Sequence, residues 1–379
     1  MIPLVEPVLG ERERRYVMEA FDTGYVSSVG PFVDRFEREF ADAVSVPHAV
    51  ACSSGTAALH VAMRLAGAGP GSVVAAPTFT FIASVNAIQY TGADIWLVDS
   101  EPGTWNMDTQ LIRDEVVRRA RLGRRIPDIV EVVHVLGHPA DIEPVLELKE
   151  RFGIAVVEDA AEALGATWRT GPLGGRQVGS VGDFGCFSFN GNKTITTGGG
   201  GMIVGADAQA ARRAKSLTTQ AREPGVEYWH EEVGYNYRLT NLAAALGTAQ
   251  LEELPGILRA KHDIAGRYDE WLGGTAVSCS PHAPWADPSY WMYSVLLPAG
   301  GPAPRQATEA LLAEGVQTRP LWPPVHAQKP YVGCLRIGGD VAESVYARGL
   351  SLPSSSNLTS ADQKHVVRAL TGMAESWAG

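Results

Sequence analysis

Short apolar runs separated by amphipathic helical patterns are the feature of this sequence that most limits its fold. The runs are too short for most helices, and helical patterns such as residues 142–153 separate several of them. Strands that alternate with helices are typical of a mainly parallel sheet covered on both faces. We therefore predict an α/β fold. The runs span residues 72–79, 93–100, 129–137, 154–161, 184–189 and 200–205.

Two domains are expected from the length of the chain and from a change in its composition. Single hydrophobic cores stop growing near about 250–300 residues, and this chain has 379. Proline and glycine become more frequent after about residue 250. The sequence predicts a large domain over residues 13–250 and a smaller α/β domain over residues 251–379, against which residues 1–12 pack.

The composition excludes several classes of protein. With 32 Lys and Arg against 42 Asp and Glu, the chain has a net charge of -10, which makes it a poor candidate for binding nucleic acid or an anionic membrane. Its four cysteines form no CxxC pair and no metal-ligand spacing. We expect reduced thiols, no metal site and a cytoplasmic location. No apolar run approaches the ~20 residues of a spanning helix.

The segment SSGTAALHVAM, which starts at Ser53, places small polar residues directly before a helical run. Such a turn exposes backbone N–H groups and the positive end of the helix dipole, which suits a phosphate. The same pattern is typical of an ordinary Ser or Thr helix cap. The segment alone therefore leaves both interpretations open.

Asp159 closes one of the apolar runs. Ligands bind at the carboxyl ends of parallel strands, where a carboxylate can keep a pyridine nitrogen protonated and so turn the ring into an electron sink. The alternative is that Glu158 and Asp159 only cap the next helix. Phe79 and Phe81 follow another run, where an aromatic ring can stack on a flat ligand or belong to the core.

Lys193 lies in the most informative segment, FGCFSFNGNKTITTGGGGMIV, where a strand pattern ends in a turn and four glycines follow. A lysine at the mouth of a sheet can form an imine with a cofactor aldehyde, and its freed amine can move protons. Ser188, five residues earlier, could reach a phosphate. A lone lysine is more commonly a solvated surface charge.

Two further segments carry candidate binding residues. Asn236 and Arg238 precede a clean helical run in GYNYRLTNLAAALGTAQL, where the alternative is a loop with Arg238 in a surface ion pair. Arg319, Trp322 and His326 are close together in TRPLWPPVH. Arginine suits a carboxylate or phosphate, and tryptophan suits the face of a sugar or base. A structural loop explains this segment equally well.

Taken in order, SGT, PTFTFIAS, EDAAE, SFNGNK with TTGGGGM, and GYNYRLTN resemble the DegT–StrS family of sugar aminotransferases. The resemblance extends from residue 24 to the C-terminal helical pattern. It implies the pyridoxal-phosphate-dependent transferase fold type I, which is aspartate-aminotransferase-like. It also implies pyridoxal 5′-phosphate as cofactor, with pyridoxamine phosphate as the intermediate form.

Within that family, VHVLGHPADIEP and the lysine segment are most similar to transaminases of nucleotide-linked 4-keto-6-deoxy sugars. The nearest group comprises the UDP-N-acetyl-hexosamine enzymes of bacillosamine and legionaminate pathways. GDP-perosamine synthases are similar in the same lysine segment. The nucleotide and the substituent at sugar carbon 2 stay open at this point.

The resemblance assigns catalytic roles to two residues and ring stacking to a third. Lys193 corresponds to the lysine that binds the cofactor covalently and acts as the catalytic base. Asp159 corresponds to the partner of the pyridine nitrogen, and Phe81 to the ring that stacks on the cofactor.

The phosphate-binding residues follow from the same resemblance. Gly55 and Thr56 correspond to the helix N-terminus that binds the phosphate, and Ser188 adds a hydroxyl. Asn236 corresponds to a residue that reaches the cofactor phosphate of the neighbouring subunit. The resemblance therefore implies a homodimer with shared active sites.

One position departs from the family pattern. Many members carry Gln or His where this chain has Glu162, near the ring oxygen of the cofactor, so the protonation state of Glu162 is in question. Some relatives replace the lysine by histidine and act as dehydratases or deoxygenases. Lys193 argues against that chemistry in this chain.

The expected reaction is transfer of the amino group of glutamate to a nucleotide-linked 4-keto-6-deoxy sugar, which gives a 4-amino sugar. Arg238, Arg319, Trp322 and His326 are the candidates for contacts with the substrate. The alternatives are an amino-cyclitol transaminase, a transaminase acting at another ring carbon, a sugar dehydratase, and a non-catalytic sensor of the cofactor or of a nucleotide sugar.

Overall fold

The computed structural model describes residues 1–378. Within them the chain forms an eight-stranded, a three-stranded and a two-stranded sheet. The strands are β1 (His48–Cys52), β2 (Val73–Pro77), β3 (Asp94–Val98), β4 (Ile129–Val133), β5 (Ala155–Asp159), β6 (Thr167–Trp168), β7 (Phe184–Ser188), β8 (Gly201–Gly205), β9 (Ala286–Asp287), β10 (Ser294–Leu296), β11 (Arg319–Pro320), β12 (Leu335–Ile337) and β13 (Gly349–Ser351).

Helices connect most of these strands. They are α1 (Glu11–Asp22), α2 (Pro31–Ala43), α3 (Gly55–Leu65), α4 (Ala83–Thr91), α5 (Thr109–Arg121), α6 (Glu143–Phe152), α7 (Ala208–Thr218), α8 (Asn241–Leu272), α9 (Pro304–Ala313), α10 (Val341–Arg348) and α11 (Ser360–Ala378). Single 3-10 turns lie at Val135–Gly137 and Val325–Ala327.

The large sheet has the strand order β1-β8-β7-β5-β4-β2-β3-β12. Only β8 runs against the others, since it pairs antiparallel with both β1 and β7, while the remaining pairs are parallel. Each of the six predicted apolar runs contains a strand of this sheet. The predicted α/β fold with a mainly parallel sheet is therefore confirmed.

Helices cover both faces of the large sheet, and each face has its own core. The core on one face includes side chains of α3, α4 and α7, and the core on the other includes side chains of α2, α5, α6 and the first half of α8. Phe36 and Phe40 of α2 are fully buried, with ring centroids 5.2 and 5.3 Å from that of Phe189. The four-residue spacing of these phenylalanines in the sequence thus marks the buried side of an amphipathic helix.

The boundary predicted at residue 250 falls inside a continuous helix. Leu251 and Leu254 of α8 belong to the core of the large sheet, whereas Tyr268 and Leu272 of the same helix belong to a second core beside β10 and β13. In addition, β12 pairs with β3 at the edge of the large sheet. A cut at residue 250 therefore does not separate the two cores, because one helix contributes apolar side chains to both.

The N-terminal segment contacts the second core. The amide of Ile2 donates a hydrogen bond to the Gly315 carbonyl at 2.7 Å, and the Ile2 side chain is buried there. The amide of Ser354 donates to the carbonyl of Leu4. Across the described residues, no helix is both long and apolar enough to cross a membrane.

The parallel strands place four polar segments at one edge of the large sheet. β1 is followed by the turn into α3, and β2 by the PTFTFIAS segment. β5 ends at Asp159 and β7 ends at Ser188. Because the carboxyl ends of parallel strands meet at the same edge, segments distant in sequence become neighbours.

Candidate active site

A cavity of about 250 Å³ lies at this edge of the sheet. Its charged lining residues are two carboxylates and two cations. Lining residues that the argument below uses are Gly55, Thr56, Phe81, Ser84, Asp159, Glu162, Ser188, Lys193, Trp291, Arg319 and Trp322. The cavity thus brings together most of the residues that the sequence singles out.

One end of the cavity is built on the N-terminus of α3. The hydroxyl of Ser54 caps this helix by accepting a hydrogen bond from the Ala57 amide at 3.0 Å. The first amides of the helix have no partner within it, and they carry the positive end of its dipole. A β-carbon added at Gly55 would lie 2.6 Å from the β-carbon of Ser188. Only glycine therefore lets Ser188 approach this helix N-terminus.

A second glycine supports the same end. A β-carbon at Gly201 would lie 2.4 Å from the carbonyl oxygen of Ser54. Gly201 begins β8, next to β1 in the sheet. The last glycine of the four-glycine run is thus required by the close approach of β8 to the turn that precedes α3.

Asp159 lies in a buried position at the end of β5 and is 4% exposed. One carboxylate oxygen accepts a hydrogen bond from the Ser84 hydroxyl at 2.7 Å, and the other accepts one from the Ala161 amide at 3.0 Å. Burial raises the pKa of Asp159, and these two hydrogen bonds oppose that effect. The donors stabilise a negative charge inside the protein.

Lys193 lies in a turn whose first hydrogen bond runs from the Lys193 amide to the Asn190 carbonyl. Its amine lies 3.4 Å from a carboxylate oxygen of Glu162 and 4.0 Å from the centroid of the Trp291 ring. The Trp291 indole donates to the carbonyl of Asn192 at 2.6 Å. The amine is therefore held by a carboxylate on one side and an aromatic face on the other.

Glu162 is oriented by the backbone as well as by Lys193. Its second carboxylate oxygen accepts a hydrogen bond from the Leu136 amide at 2.9 Å. Burial raises the pKa of Glu162, and the positive charge of Lys193 acts in the opposite direction. Glu162 therefore lies in contact with the lysine amine at the centre of the cavity.

Aromatic rings form one wall of the cavity. Phe81 is 49% exposed and lines the cavity, whereas Phe79 is fully buried. The Trp322 ring lies between them, with its centroid 5.7 Å from that of Phe79 and 6.3 Å from that of Phe81. Of the two phenylalanines considered in the sequence, Phe81 is the one available to a ligand.

Asn236 and Arg238 do not line the cavity of their own chain. The Asn236 side chain is exposed. Arg238 pairs through its backbone with Cys52 at the end of β1. Its Nε is buried and has no hydrogen-bond partner within the described part of the chain. Both residues thus lie near the α3 end of the site without entering it.

His326 is the third candidate outside the cavity. Its Nδ1 lies 2.6 Å from the Thr78 hydroxyl, and its Nε2 lies 2.9 Å from a carboxylate oxygen of Glu343. Both ring nitrogens are therefore occupied by contacts within the fold. In this structure His326 joins the loop after β11 to the end of β2 rather than contacting the cavity.

Sequence reasoning missed two residues that the structure brings to the site. Ser84 is the final residue of the PTFTFIAS segment, and its hydrogen bond to Asp159 depends on the fold, which brings the start of α4 to the end of β5. Trp291 comes from a distant loop and reaches Lys193 only in the folded chain. The two polar residues Thr80 and Ser84, four positions apart with only apolar residues between them, could have indicated Ser84. No local pattern marks Trp291.

The residues of the cavity fit the cofactor that the sequence implies. A helix N-terminus with the Ser188 hydroxyl suits a phosphate, a buried carboxylate suits a protonated ring nitrogen, and a lysine between them suits an aldehyde. Because Gly55 and Gly201 have no β-carbon, Ser188 and the turn before α3 can come together around the phosphate of the cofactor. No group of three or more metal-ligating side chains occurs in the described residues.

Residues 7–371 match the model of the DegT/DnrJ/EryC1/StrS aminotransferase family. The chain belongs to this family. The match covers more than nine tenths of the chain, and it agrees with the order of motifs along the sequence. The sequence-based predictions of an aminotransferase and of pyridoxal phosphate as its cofactor are confirmed.

Known proteins are similar to this aminotransferase along most of its length. It is 40% identical to a GDP-perosamine synthase of Caulobacter vibrioides, with 97% of each chain covered. It is 35% identical to a UDP-N-acetyl-3-dehydro-alpha-D-glucosamine 3-aminotransferase of Acidithiobacillus ferrooxidans, covering 84% of this chain and 82% of that one. The crystal structure of the aminotransferase TlmJ from Streptoalloteichus hindustanus superposes with a TM-score of 0.90 at 30% identity, with 100% of both chains covered. The fold-type prediction is thereby confirmed.

The glycine at the N-terminus of α3 gives a direct test of the phosphate end of this aminotransferase. Gly55→Ala introduces a methyl group against Ser188 and should weaken binding of pyridoxal phosphate by about tenfold or more, or ~1.4 kcal/mol. Titration of the apoenzyme with the cofactor measures the change. Gly266→Ala is the matched control, because a β-carbon at this position on α8 meets nothing within 4 Å. Unchanged affinity in Gly55→Ala would show that the phosphate binds elsewhere.

Proposed function

We propose that this enzyme transfers the amino group of glutamate to the keto carbon of a nucleotide-linked 4-keto-6-deoxy sugar and releases a 4-amino sugar. The observation that carries the proposal is the arrangement around one cavity of Asp159, Lys193 and the α3 N-terminus with Ser188. These groups have the chemistry that a pyridoxal cofactor and its transamination require, and they line the same cavity.

The residues at the two ends of the cavity hold the cofactor. Gly55, Thr56 and Ser188 would bind its phosphate, and the Asp159 carboxylate would accept a hydrogen bond from its protonated ring nitrogen. Phe81 stacks on one ring face. Bound in this way, the cofactor supplies an electron sink that stabilises negative charge at the carbon losing a proton.

Lys193 performs the proton transfers. Its Nζ would take a proton from the α-carbon of glutamate in the first half-reaction and deliver a proton to the former keto carbon of the sugar in the second. Glu162 and Trp291 hold the amine, which lies 3.4 Å from a Glu162 carboxylate oxygen and 4.0 Å from the Trp291 ring centroid. An amine confined by two contacts loses little freedom when the reaction begins, which favours rapid transfer.

Arg319 is the proposed anchor for the negative groups of both substrates. It is exposed and, among the described residues that line the cavity, it is the single cation besides Lys193. Glutamate and a nucleotide diphosphate carry negative charge, and a guanidinium binds carboxylate and phosphate in similar geometry. Because the two half-reactions occur in turn, one arginine can serve both substrates. Trp322 beside Arg319 offers a ring for the nucleotide or sugar.

A second copy of the chain is proposed to complete each site. Four large apolar residues lie exposed in the segment that precedes Asn236: Val226 at 97%, Tyr228 at 81%, Trp229 at 61% and Val233 at 81%. Several large apolar side chains exposed in one short segment support its assignment to an interface. In a homodimer, covering this segment would bring the exposed Asn236 to the phosphate end of the neighbouring cavity.

The relatives bear on the choice of sugar. The GDP-perosamine synthase match covers nearly the whole chain, which favours a GDP-linked substrate over the UDP-linked sugars of the nearest group suggested by the sequence motifs. The 3-aminotransferase match makes a 3-keto sugar the second candidate. The 4-keto and 3-keto sugars differ in which ring carbon must face the amine of Lys193.

A panel of keto sugars tests the proposed substrate. With glutamate as donor, we expect GDP-linked 4-keto-6-deoxy sugar to give the highest kcat/KM, measured as release of 2-oxoglutarate. UDP- and dTDP-linked 4-keto sugars, a UDP-linked 3-keto sugar and a keto-cyclitol complete the panel. Turnover confined to the 3-keto sugar or the keto-cyclitol would overturn the assignment to carbon 4.

The role of Lys193 is tested without the sugar. In Lys193→Ala the visible absorbance of cofactor bound through the lysine should disappear, and conversion of glutamate should fall by at least about 10⁴-fold, the upper range for loss of a general base. Lys364→Ala on α11 is the matched control, since Lys364 contacts only the Trp271 ring among the interactions described. Repeated turnover by Lys193→Ala would contradict the mechanism.

Subunit mixing tests the shared site. Lys193→Ala and Asn236→Ala should each be inactive or nearly so. A mixed dimer has one Lys193→Ala subunit and one Asn236→Ala subunit. If Asn236 acts in the neighbouring site, one site of this dimer carries both changes and the other site carries neither. Random mixing should then restore about a quarter of the wild-type activity, as two-fold symmetry requires. No recovery after confirmed exchange of subunits would show that Asn236 serves its own chain.

A further inference from the structure

Glu131 is a buried carboxyl group without a hydrogen bond. It lies in the middle of β4, its exposure is 0%, and neither side-chain oxygen has a partner among the described residues. Burying an unpaired polar group costs free energy, and burying an unpaired charge costs far more. Such a group in a central strand needs a physical explanation.

The position of Glu131 places it behind the active site. Side chains alternate between the faces of a strand, so Glu131 shares its face with Ile129 and Val133. Ile129 belongs to the core under α3 and α4, and Val133 lines the cavity. In the parallel pair of β4 and β5, Val133 is opposite Asp159. Glu131 and Asp159 are therefore diagonal neighbours on one face of the sheet.

The other titratable groups near Glu131 on this face can be named. On β7, Cys186 is opposite Asp159, and its thiol is buried. Burial raises the pKa of Cys186 well above its usual value, and the charge of Asp159 adds to that effect. Among the buried residues of α3 and α4, the one titratable side chain is His60, which contacts the Tyr237 hydroxyl. No cation among these groups balances a charge on Glu131.

Two carboxyl groups this close in a buried region cannot both be ionised cheaply. Asp159 has two hydrogen-bond donors, from Ser84 and Ala161, whereas Glu131 has none. Burial raises the pKa of Glu131 well above its usual value, and the charge of Asp159 raises it further. The donors therefore decide which member of the pair is negative.

We propose that Glu131 is a positioning residue that carries the single proton of this carboxyl pair and so keeps the negative charge on Asp159, where the ring nitrogen of the cofactor is bound. The part concerning the ring nitrogen depends on the proposed function. The part concerning the proton on Glu131 depends only on burial, register and hydrogen bonding, so the two can fail separately.

The first experiment measures stability against pH for Glu131→Gln. A protonated, buried Glu131 favours the folded state fully below the usual glutamate pKa, and that contribution is lost as pH rises towards the raised pKa of the folded protein. The unfolding equilibria of the variant and the wild type should therefore agree near pH 4. The folding constant of the variant should then gain about tenfold over wild type for each pH unit above roughly 4.5.

Glu158→Gln is the matched control from the adjacent strand. Glu158 is equally buried but accepts hydrogen bonds from the amides of Gly179, Val181 and Gly182 and contacts His134. Although burial opposes it, the His134 contact and the amides of Gly182 and Gly179 lower the pKa of Glu158. Glu158→Gln should lose stability at neutral pH, the reverse of Glu131→Gln. Equal or lower stability of Glu131→Gln at neutral pH would overturn the proposal, and Glu131→Leu provides a second neutral variant if Glu131→Gln does not fold.

The second experiment asks which carboxyl group carries the charge in the holoenzyme. If Glu131 is already neutral, the visible absorption of bound cofactor at neutral pH should be the same in Glu131→Gln as in wild type. Asp159→Asn should change it. A spectrum altered by Glu131→Gln would place the charge on Glu131 and overturn the proposal. Failure of the wild type to bind the cofactor would instead overturn the proposed function, while the stability measurement still decides the state of Glu131.

Discussion

A negative charge buried at the carboxyl end of a strand is the constraint on which the rest of the site depends. Burial raises the pKa of Asp159, and Ser84 and Ala161 favour the charged form by donating hydrogen bonds to its two oxygens. Ser84 can do so because α4 begins a few residues after β2, and the fold brings the first turn of this helix to the end of β5. The position of this helix is therefore part of the electrostatics of the site, and not only of its packing.

The parallel sheet explains why the other functional groups gather around the same charge. Chain segments that leave β1, β2, β5 and β7 all emerge at one edge. Close approach there requires glycine at Gly55 and Gly201, where any β-carbon would collide with Ser188 or with the backbone of Ser54. The same strands bring Lys193 near Glu162. A single edge thus supplies an anion site, a buried anion and an amine.

Much of the fold could be predicted from local patterns, and the failures have identifiable causes. The six apolar runs that became strands are buried on both faces, so their composition alone marks them. The short strand β12 was missed because it has three residues, two of them exposed, and exists only through its pairing with β3. The boundary near residue 250 stays a prediction, since α8 runs through it and has no local break where its buried contacts change from one core to the other.

By itself, the sequence determined the family and the cofactor, because the residues on which both predictions rest lie in motifs where neighbouring residues act together. The roles assigned to the individual site residues stay predictions. Only the tertiary structure decided which groups contact them. Trp291 contacts the lysine and Ser84 donates to the aspartate through segments distant in sequence. The same is true of His326, which contacts Thr78 and Glu343 outside the cavity. It is also true of Glu131, which lies behind Asp159 without a hydrogen bond in the described part of the chain. The physical reason is that hydrogen bonding and desolvation depend on neighbours in space, which a local pattern of residues does not contain.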